Sequence, residues 1–123
     1  MEIRTIKCKS GKEYQIVNEY WEKRNAWGHK STLLVNGRDI DEYSVKYYNR
    51  TWEMYTYQTC MSLLINSIIG SRQDYYIAQF KADNGITRFK KGQKEEVIAQ
   101  WKNTEFAKDL YEILERIENR DFD

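Results

Sequence analysis

The segment from Ser31 to Tyr48, STLLVNGRDIDEYSVKYY, carries the pattern that decides the fold. Ser31 to Val35 reads as a short apolar strand, and Arg38 to Tyr48 reads as its return strand. Asn36 and Gly37 between them tolerate the positive φ angles of a type I′ turn, which is the strongest short-range signal for a β-hairpin. The segment therefore predicts two antiparallel strands joined by a two-residue turn.

The residues before this hairpin predict two further strands. Glu2 to Cys8 alternates polar and apolar residues, and Glu13 to Trp21 alternates more strictly, with both of its faces partly apolar. We expect helices to cover one of these faces and a partner to cover the other. The segment from Lys23 to Lys30 contains asparagine, glycine and histidine and reads as a loop.

The first part of the second half predicts one long buried helix and a second helix after it. A wide apolar arc predicts a central helix from Thr51 to Ile69, capped by Thr51 or Asn49 and stopped by Gly70. A second helix is predicted from Ser71, ending near Gly85. A strand is the competing interpretation for that stretch, because its aromatic residues also favour sheets.

The C-terminal part predicts two more helices. Ile86 to Lys91 reads as a short strand or a loop, and Gln93 to Trp101 reads as a helix. Asn103 or Thr104 is expected to cap a last helix. The core positions of that helix repeat at helical spacing: Phe106, Leu110, Ile113, Leu114 and Ile117.

The order of these elements, strands first and helices second, indicates an α+β fold. We expect an antiparallel sheet of three to five strands from the N-terminal half, packed against a central helix and further C-terminal helices. A chain of 123 residues has the usual length of one domain, so residues 1–123 are predicted to form a single domain.

Composition narrows the classes of function. The net charge is only +1, which gives the whole chain no general attraction for nucleic acid. No apolar run approaches the roughly 20 residues of a membrane helix, and the N-terminus lacks a signal-peptide core. We therefore expect a cytoplasmic protein with no membrane contact, in which Cys8 and Cys60 are ordinary thiols.

Reactive groups are sparse. His29 is the only histidine and lies far in sequence from both cysteines, so a cysteine–histidine pair is not expected. One histidine and two cysteines do not supply four zinc ligands, and no metal or cofactor is predicted. A small hydrolase or metal-dependent enzyme around Asp39, Asp41 and His29 is the least favoured alternative, since acidic clusters beside hairpins are commonly solvated turn residues. The prediction is that the chain is not an enzyme.

Aromatic residues make up 15% of the chain, including ten tyrosines and four tryptophans. Tryptophan, tyrosine and arginine are the residues that dominate the energetics of protein interfaces. We predict that the chain binds a protein, or a protein–nucleic-acid complex. Homodimerisation is an alternative, because a sheet with two partly apolar faces needs a second cover. The predicted protein-binding residues are Trp21, Trp27, Tyr43 and Arg50.

A nucleic-acid-binding protein is the alternative prediction. Residues 81–94 contain five basic residues and one acidic residue, a local charge of +4, and Phe89 lies among them. An aromatic ring on a basic surface can stack on bases, worth roughly 1–3 kcal/mol for each base. The predicted nucleic-acid-binding residues are Lys81, Arg88, Lys90, Lys91 and Lys94.

The segment from Tyr47 to Glu53, YYNRTWE, resembles a stretch in small uncharacterised proteins of phages and mobile elements of Gram-positive bacteria. The resemblance covers about a dozen residues, including Tyr55, Tyr57 and Gln58, and transfers no catalytic residue. It implies an accessory protein that binds a host macromolecule, with inhibitors of bacterial defence such as anti-CRISPR proteins as one such class. The motif also has a structural explanation, because a strand must turn into a helix at this point.

Overall fold

The computed structural model describes residues 1–48 and 57–121, and for residues 47 and 48 it describes the backbone only. Within these residues four strands precede three helices, which confirms the α+β fold. The elements are β1 (Glu2–Lys7), β2 (Glu13–Lys23), β3 (Ala26–Val35), β4 (Arg38–Tyr48), α1 (Tyr57–Asp83), α2 (Gln93–Lys102) and α3 (Glu105–Glu118).

The four strands form one antiparallel sheet in the order β1-β2-β3-β4. The hairpin between β3 and β4 turns at Asn36 and Gly37, whose φ angles are 53° and 76°. These are the left-handed values that a type I′ turn requires, so the turn prediction is confirmed. Each strand pairs with the next one in sequence, so short local connections build the whole sheet.

The loop predicted from Lys23 to Lys30 is wrong, because most of it is strand. β2 continues to Lys23 and β3 begins at Ala26, so only two residues turn the chain. Gly28 pairs with Trp21 on one side and with Lys46 on the other, which places it inside the sheet. Cross-strand pairing and side-chain packing outweigh the turn preference of a glycine in this position.

A β-bulge explains the imperfect alternation of β4. Leu33 pairs with Asp41 whereas Leu34 pairs with Asp39, so Ile40 is an extra residue in the strand. The bulge shifts the register by one residue, which lets Ile40 pack against the core although its position has the opposite parity to Tyr43.

The helix stop predicted at Gly70 is also wrong, because α1 runs without a break through this residue to Asp83. A glycine within a helix costs about 1 kcal/mol relative to alanine. Tertiary contacts on both sides outweigh this cost: Ile68 and Ile69 are buried before it, and Arg72 lies 5.6 Å above the ring of Phe106 after it. The predicted start at Thr51, its cap by Asn49 or Thr51, and the role of Trp52 lie outside the described residues.

The ends of the helices follow their local sequence. α1 ends at Asp83; Gly85 follows with a φ of 62°, and the Ile86 N–H donates to the Lys81 carbonyl at 2.9 Å. This six-to-one bond is the mark of a Schellman motif. Residues 86–91 form no strand. The Thr104 side chain accepts a hydrogen bond from the Ala107 N–H, which makes Thr104 the N-cap of α3.

The core lies between one face of the sheet and the helices. We call this side of the sheet the covered face; its buried members are Ile6, Tyr14, Ile16, Asn18, Ser31 and Leu33. From the helices, the core receives one stripe of α1 and the predicted stripe of α3, in which Leu110, Ile113 and Ile117 are fully buried. Among the described residues, none of the helices is long and apolar enough to cross a membrane.

Candidate binding surface

The opposite side of the sheet is free of helices within the described residues, and we call it the open face. Its cross-strand rows include Ile3–Val17–Thr32 and Glu19–Lys30, and none of these five residues belongs to the buried core. Because successive residues of a strand point to opposite faces, this surface is built by the same strands that build the core. The expectation that helices cover one face is therefore met for the described part of the chain, and the cover of the other face by a partner stays a prediction.

Trp21 stands at one end of the open face and lies across the backbone of β3. A Cβ atom placed on Gly28 would lie 2.5 and 2.7 Å from two atoms of the indole ring and would collide with the Val45 carbonyl oxygen. Only glycine leaves room for the ring in this place. The Nζ of Lys23 lies 5.7 Å from the ring centroid, within the range of a cation–π contact.

Charged groups occupy the middle of the open face. The Lys30 Nζ lies 2.9 Å from a carboxylate oxygen of Glu42 on β4, and this bond raises the pKa of Lys30. Glu19 pairs with Lys30 across β2 and β3. The face thus combines aliphatic side chains at one end, a charged band in the middle and a tryptophan at the other end.

The structure separates the predicted protein-binding residues. Trp21 lies on the open face, whereas Trp27, one pairing step away, lies on the covered face. Tyr43 is half-buried and packs against the core, so its ring supports the fold. Arg50 lies outside the described residues. These four residues therefore do not form one surface in the part of the chain that is described.

Trp27 belongs to an aromatic cluster at the β2–β3 end of the covered face. His29 lies between three rings: its centroid is 4.9 Å from Tyr57, 5.9 Å from Trp27 and 6.0 Å from Tyr20. Burial lowers the pKa of His29, so the imidazole is held in its neutral form. Tyr20 remains 53% exposed, which puts one edge of the cluster at the surface.

The alternative enzyme residues do not converge in the described structure. Asp39 and Asp41 share a face in an unbroken strand, but the bulge pairs them with Leu34 and Leu33, in different cross-strand rows. Among residues 1–48 and 57–121, no group of three histidine, cysteine or acidic residues is arranged to hold a metal ion. His29 contacts aromatic rings in the cluster described above.

Both cysteines are buried and free. The Cys8 thiol donates to the Asp109 carbonyl at 3.9 Å, and burial, together with the nearby Glu112 and Asp109 carboxylates, raises its pKa to about 12. Burial also raises the pKa of Cys60. Thiols with raised pKa values are poor nucleophiles at neutral pH, because the thiolate is the reactive form.

A groove of about 730 Å³ lies between the β1–β2 turn and α3. Charges of both signs line it, including Lys9, Lys108 and Glu112. Asp109 in its wall is 2% exposed and accepts a hydrogen bond from the Tyr14 hydroxyl at 2.6 Å. This carboxylate is therefore engaged in holding α3 to β2.

The predicted nucleic-acid residues lie on α1, in the following turn and in α2. The role assigned to Phe89 changes, because its half-buried ring packs 6.4 Å from Phe80 and lies 4.7 Å below the Lys81 Nζ. Phe89 therefore anchors the turn to α1. Four of the five basic side chains are exposed, and Lys81 is half-buried above this ring.

The sequence reasoning missed Gly28 and the continuity of the open face, because it treated Lys23 to Lys30 as a loop. A usable signal was present: small and large residues alternate from Ala26 through Trp27 and Gly28 to His29, which is the period of a strand.

Comparison of the chain with known proteins identifies no matching family model, no similar curated protein and no similar solved structure.

Proposed function

We propose that the chain is a non-enzymatic binding protein that docks a partner protein on the open face of its sheet. The observation that supports this most is Trp21, a large, half-buried aromatic residue on a face without helices, whose ring lies over Gly28 where a larger residue would meet both the ring and the Val45 carbonyl. A side chain oriented in advance loses little conformational entropy on binding. Tryptophan is also among the residues most enriched at the energetic centres of interfaces.

The size of the face fits a contact with a folded protein. Six residue steps separate Gln15 from Trp21 on β2, which at about 3.4 Å per residue spans on the order of 20 Å. Ile3, 49% exposed, and the half-buried Val17 and Leu34 supply apolar area away from the tryptophan. Aromatic and aliphatic side chains supply much of the contact area of protein interfaces, and the open face carries them at both ends of its charged band.

The charges of the open face specify the kind of partner. Glu19, Lys30 and Glu42 bring both signs close together, and the Lys30–Glu42 pair is already neutralised. Such a surface favours a partner that presents both charges opposite this band and apolar groups on either side of it over a uniformly charged polymer. A partner protein therefore fits the open face better than nucleic acid does.

The narrower part of the proposal concerns biological context. The resemblance of the segment from Tyr47 to Glu53 to phage and mobile-element proteins supports a partner from a bacterial host cell, with a defence complex as one candidate. Residues 49–53 of that segment lie outside the described residues, so the support comes from the sequence pattern. The cellular location that follows from this proposal is the cytoplasm of the host.

The experiment that tests the open face is site-specific photo-crosslinking in a lysate of a Gram-positive bacterium treated with nuclease. A benzophenone amino acid replaces Thr32, in the centre of the open face, or Ala78, exposed on α1. We expect the Thr32 probe to form a discrete adduct with one protein and the Ala78 probe to form none. The adduct should persist at 0.5 M salt, because the contact is mainly apolar.

Matched substitutions complete the test with the identified partner in purified form. Trp21→Ala should weaken its binding by more than tenfold, corresponding to a hot-spot loss of about 2 kcal/mol. Tyr75→Ala removes an aromatic side chain that is 67% exposed on α1 and should leave the affinity unchanged. Equal losses in the two variants, or adducts from the Ala78 probe alone, would rule out the open face as the docking site.

A further inference from the structure

We propose that the turn between α1 and α2 is a second binding surface that contacts the phosphate backbone of nucleic acid. Its basic side chains, which we call the basic turn, are Lys81, Arg88, Lys90, Lys91 and Lys94. This proposal is independent of the open face, because no residue of the basic turn lies on the sheet.

The backbone of the basic turn has a defined conformation. The Schellman motif at Gly85 closes its first end, and the Gly85 N–H also donates to the Ala82 carbonyl. At the second end, the Gln93 side chain accepts a hydrogen bond from the Lys90 N–H at 3.0 Å, and Gly92 adopts a φ of 81°. Phe89 packs against Phe80 between these ends. The cations therefore project from a turn that is held at both ends and in the middle.

The positive charge of the basic turn is not neutralised within the described part of the chain. None of its five side chains forms an ion pair there, whereas Arg4, Lys12, Lys30 and Arg116 each lie within 4.0 Å of a carboxylate. The nearby acidic residues interact with other groups than these five cations. Asp83 accepts a hydrogen bond from Gln79 at 2.8 Å, and Glu95 and Glu96 occupy the first turn of α2, where the helix dipole favours negative charge.

The chemistry of the surface favours a phosphate backbone over an acidic protein. A protein interface needs an apolar anchor at its centre, and the aromatic residue of this turn, Phe89, is used in packing on α1. Four of the five cations are lysines, which bind phosphate as flexible point charges. A DNA duplex presents about one negative charge for every 1.7 Å of its axis, so several cations of the basic turn can contact phosphates at the same time.

The position of the basic turn leaves the two surfaces independent. All buried residues of α1 precede Gly70. Asp83 follows Ile69 by 14 residues, a length of roughly 20 Å at 1.5 Å per residue. Tyr76 also packs against the core, and Asp83 follows it by seven residues, roughly 10 Å at 1.5 Å per residue, so the basic turn lies beyond the part of α1 that packs in the core and apart from the open face.

Fluorescence anisotropy with a labelled 20-base-pair DNA duplex, measured from 50 to 300 mM KCl, tests the proposal. Contacts with four or five phosphates predict a slope of about −4 in a plot of log K against log salt concentration. Lys90→Gln, Lys91→Gln and Lys94→Gln, combined in one variant, should reduce the affinity on the order of 10- to 100-fold at 0.1 M salt and flatten the slope by about 2 to 3.

The control variant removes the same charge from another place. Lys7→Gln, Lys9→Gln and Lys108→Gln affect three exposed lysines near α3 and should leave the slope unchanged. Circular dichroism and a melting curve verify that both variants remain folded. Trp21→Ala should bind DNA like the wild type, which separates this result from the test of the open face.

Four results would overturn the proposal. The first is an absence of duplex binding at 50 mM KCl. The second is an equal loss of affinity in the control variant, which would assign the effect to net charge. The third is displacement of the duplex by a polyglutamate peptide at equal charge concentration, which would indicate an acidic protein partner. The fourth is single-stranded DNA binding more than tenfold tighter than the duplex, which would indicate base stacking.

Discussion

The two faces of the sheet are made of the same strands but have opposite environments. Ile6 and Ile3 belong to one strand, β1, yet Ile6 is fully buried and Ile3 is 49% exposed. Tyr14 on the covered face bonds a buried carboxylate, whereas Trp21 on the open face rests on a glycine. The position of the helices, and not the type of residue, therefore separates side chains that stabilise the fold from side chains that are available to a partner.

Polar groups on the covered face support this distinction. Ser31 donates to the Asn18 side chain at 2.6 Å, and Asn18 donates to Glu2 at 3.2 Å. Asn18 and Ser31 are fully buried, and buried polar groups are stable only when their hydrogen bonds are satisfied. These residues therefore belong to the interior of the protein, although their types are common on surfaces.

The largest expected effect comes from truncating the buried isoleucine of β1. Ile6→Ala removes a side chain with no exposed area and leaves a cavity in the core, which should lower the free energy of unfolding by about 2–5 kcal/mol. Urea denaturation followed by circular dichroism measures the change.

Ile3→Ala is the matched control, because it makes the same change on the same strand. It should lower the free energy of unfolding by less than about 1 kcal/mol, since half of the side chain is already in water. Similar losses of stability in the two variants would show that the open face is covered, which would contradict the different environments of the two faces.

The next effect concerns the hydrogen bond from Tyr14 to Asp109, which is 2.6 Å long and buried. Tyr14→Phe removes the donor from a carboxylate that is 2% exposed, and the stability at pH 7 should fall by about 1.5–3 kcal/mol. Tyr75→Phe removes the hydroxyl of an exposed tyrosine and should change the stability by less than about 0.5 kcal/mol.

Tyr14→Phe and Tyr75→Phe should also differ in how their stability depends on pH. Burial, followed by the hydrogen bond to Asp109, raises the pKa of Tyr14 above its ordinary value of 10. The folded state therefore retains a proton that the unfolded state releases, so this stabilisation is complete below pH 10 and is lost as the pH rises above it. The loss above pH 10 should be shallower in Tyr14→Phe than in the wild type or Tyr75→Phe; identical slopes in all three would contradict the assignment.

The smallest expected effect compares two glycine substitutions. Gly28→Ala places a methyl group against the Val45 carbonyl oxygen and the Trp21 ring, so the backbone of β4 and the ring must both shift; the substitution should cost about 1–3 kcal/mol, the usual range for overpacking. Gly70→Ala places a methyl group in open space within α1 and should stabilise the protein by about 0.5–1 kcal/mol. Thermal unfolding measures both; a stabilising Gly28→Ala would contradict the close approach of Val45 and Trp21 to Gly28.

Much of the fold could be predicted from local patterns. The alternation of β1 and β2, the Asn36-Gly37 turn, the boundaries of α2 and the cap at Thr104 all depend on residues close in sequence. The failures have one cause. Lys23 to Lys30 and Gly70 carry local signals for a loop and a helix end, but partners distant in sequence outweigh them.

The candidate surfaces show the same division. Composition was enough to identify Trp21 and the five basic residues as candidates, since residue type and local charge are readable from the chain. Composition did not show that Phe89 packs against α1, that Tyr43 packs against the core or that the Trp21 ring lies against Gly28. Each of these facts depends on which side chains meet across elements.

The sequence by itself determined the class of the fold, the hairpin of β3 and β4 and the scarcity of reactive groups, because these follow from periodicity, turn chemistry and composition. Only the tertiary structure decided which face of the sheet the helices cover and which aromatic residues remain accessible. The physical reason is that burial is a property of pairs of elements: the same alternating strand presents two partly apolar faces until α1 and α3 pack against one of them.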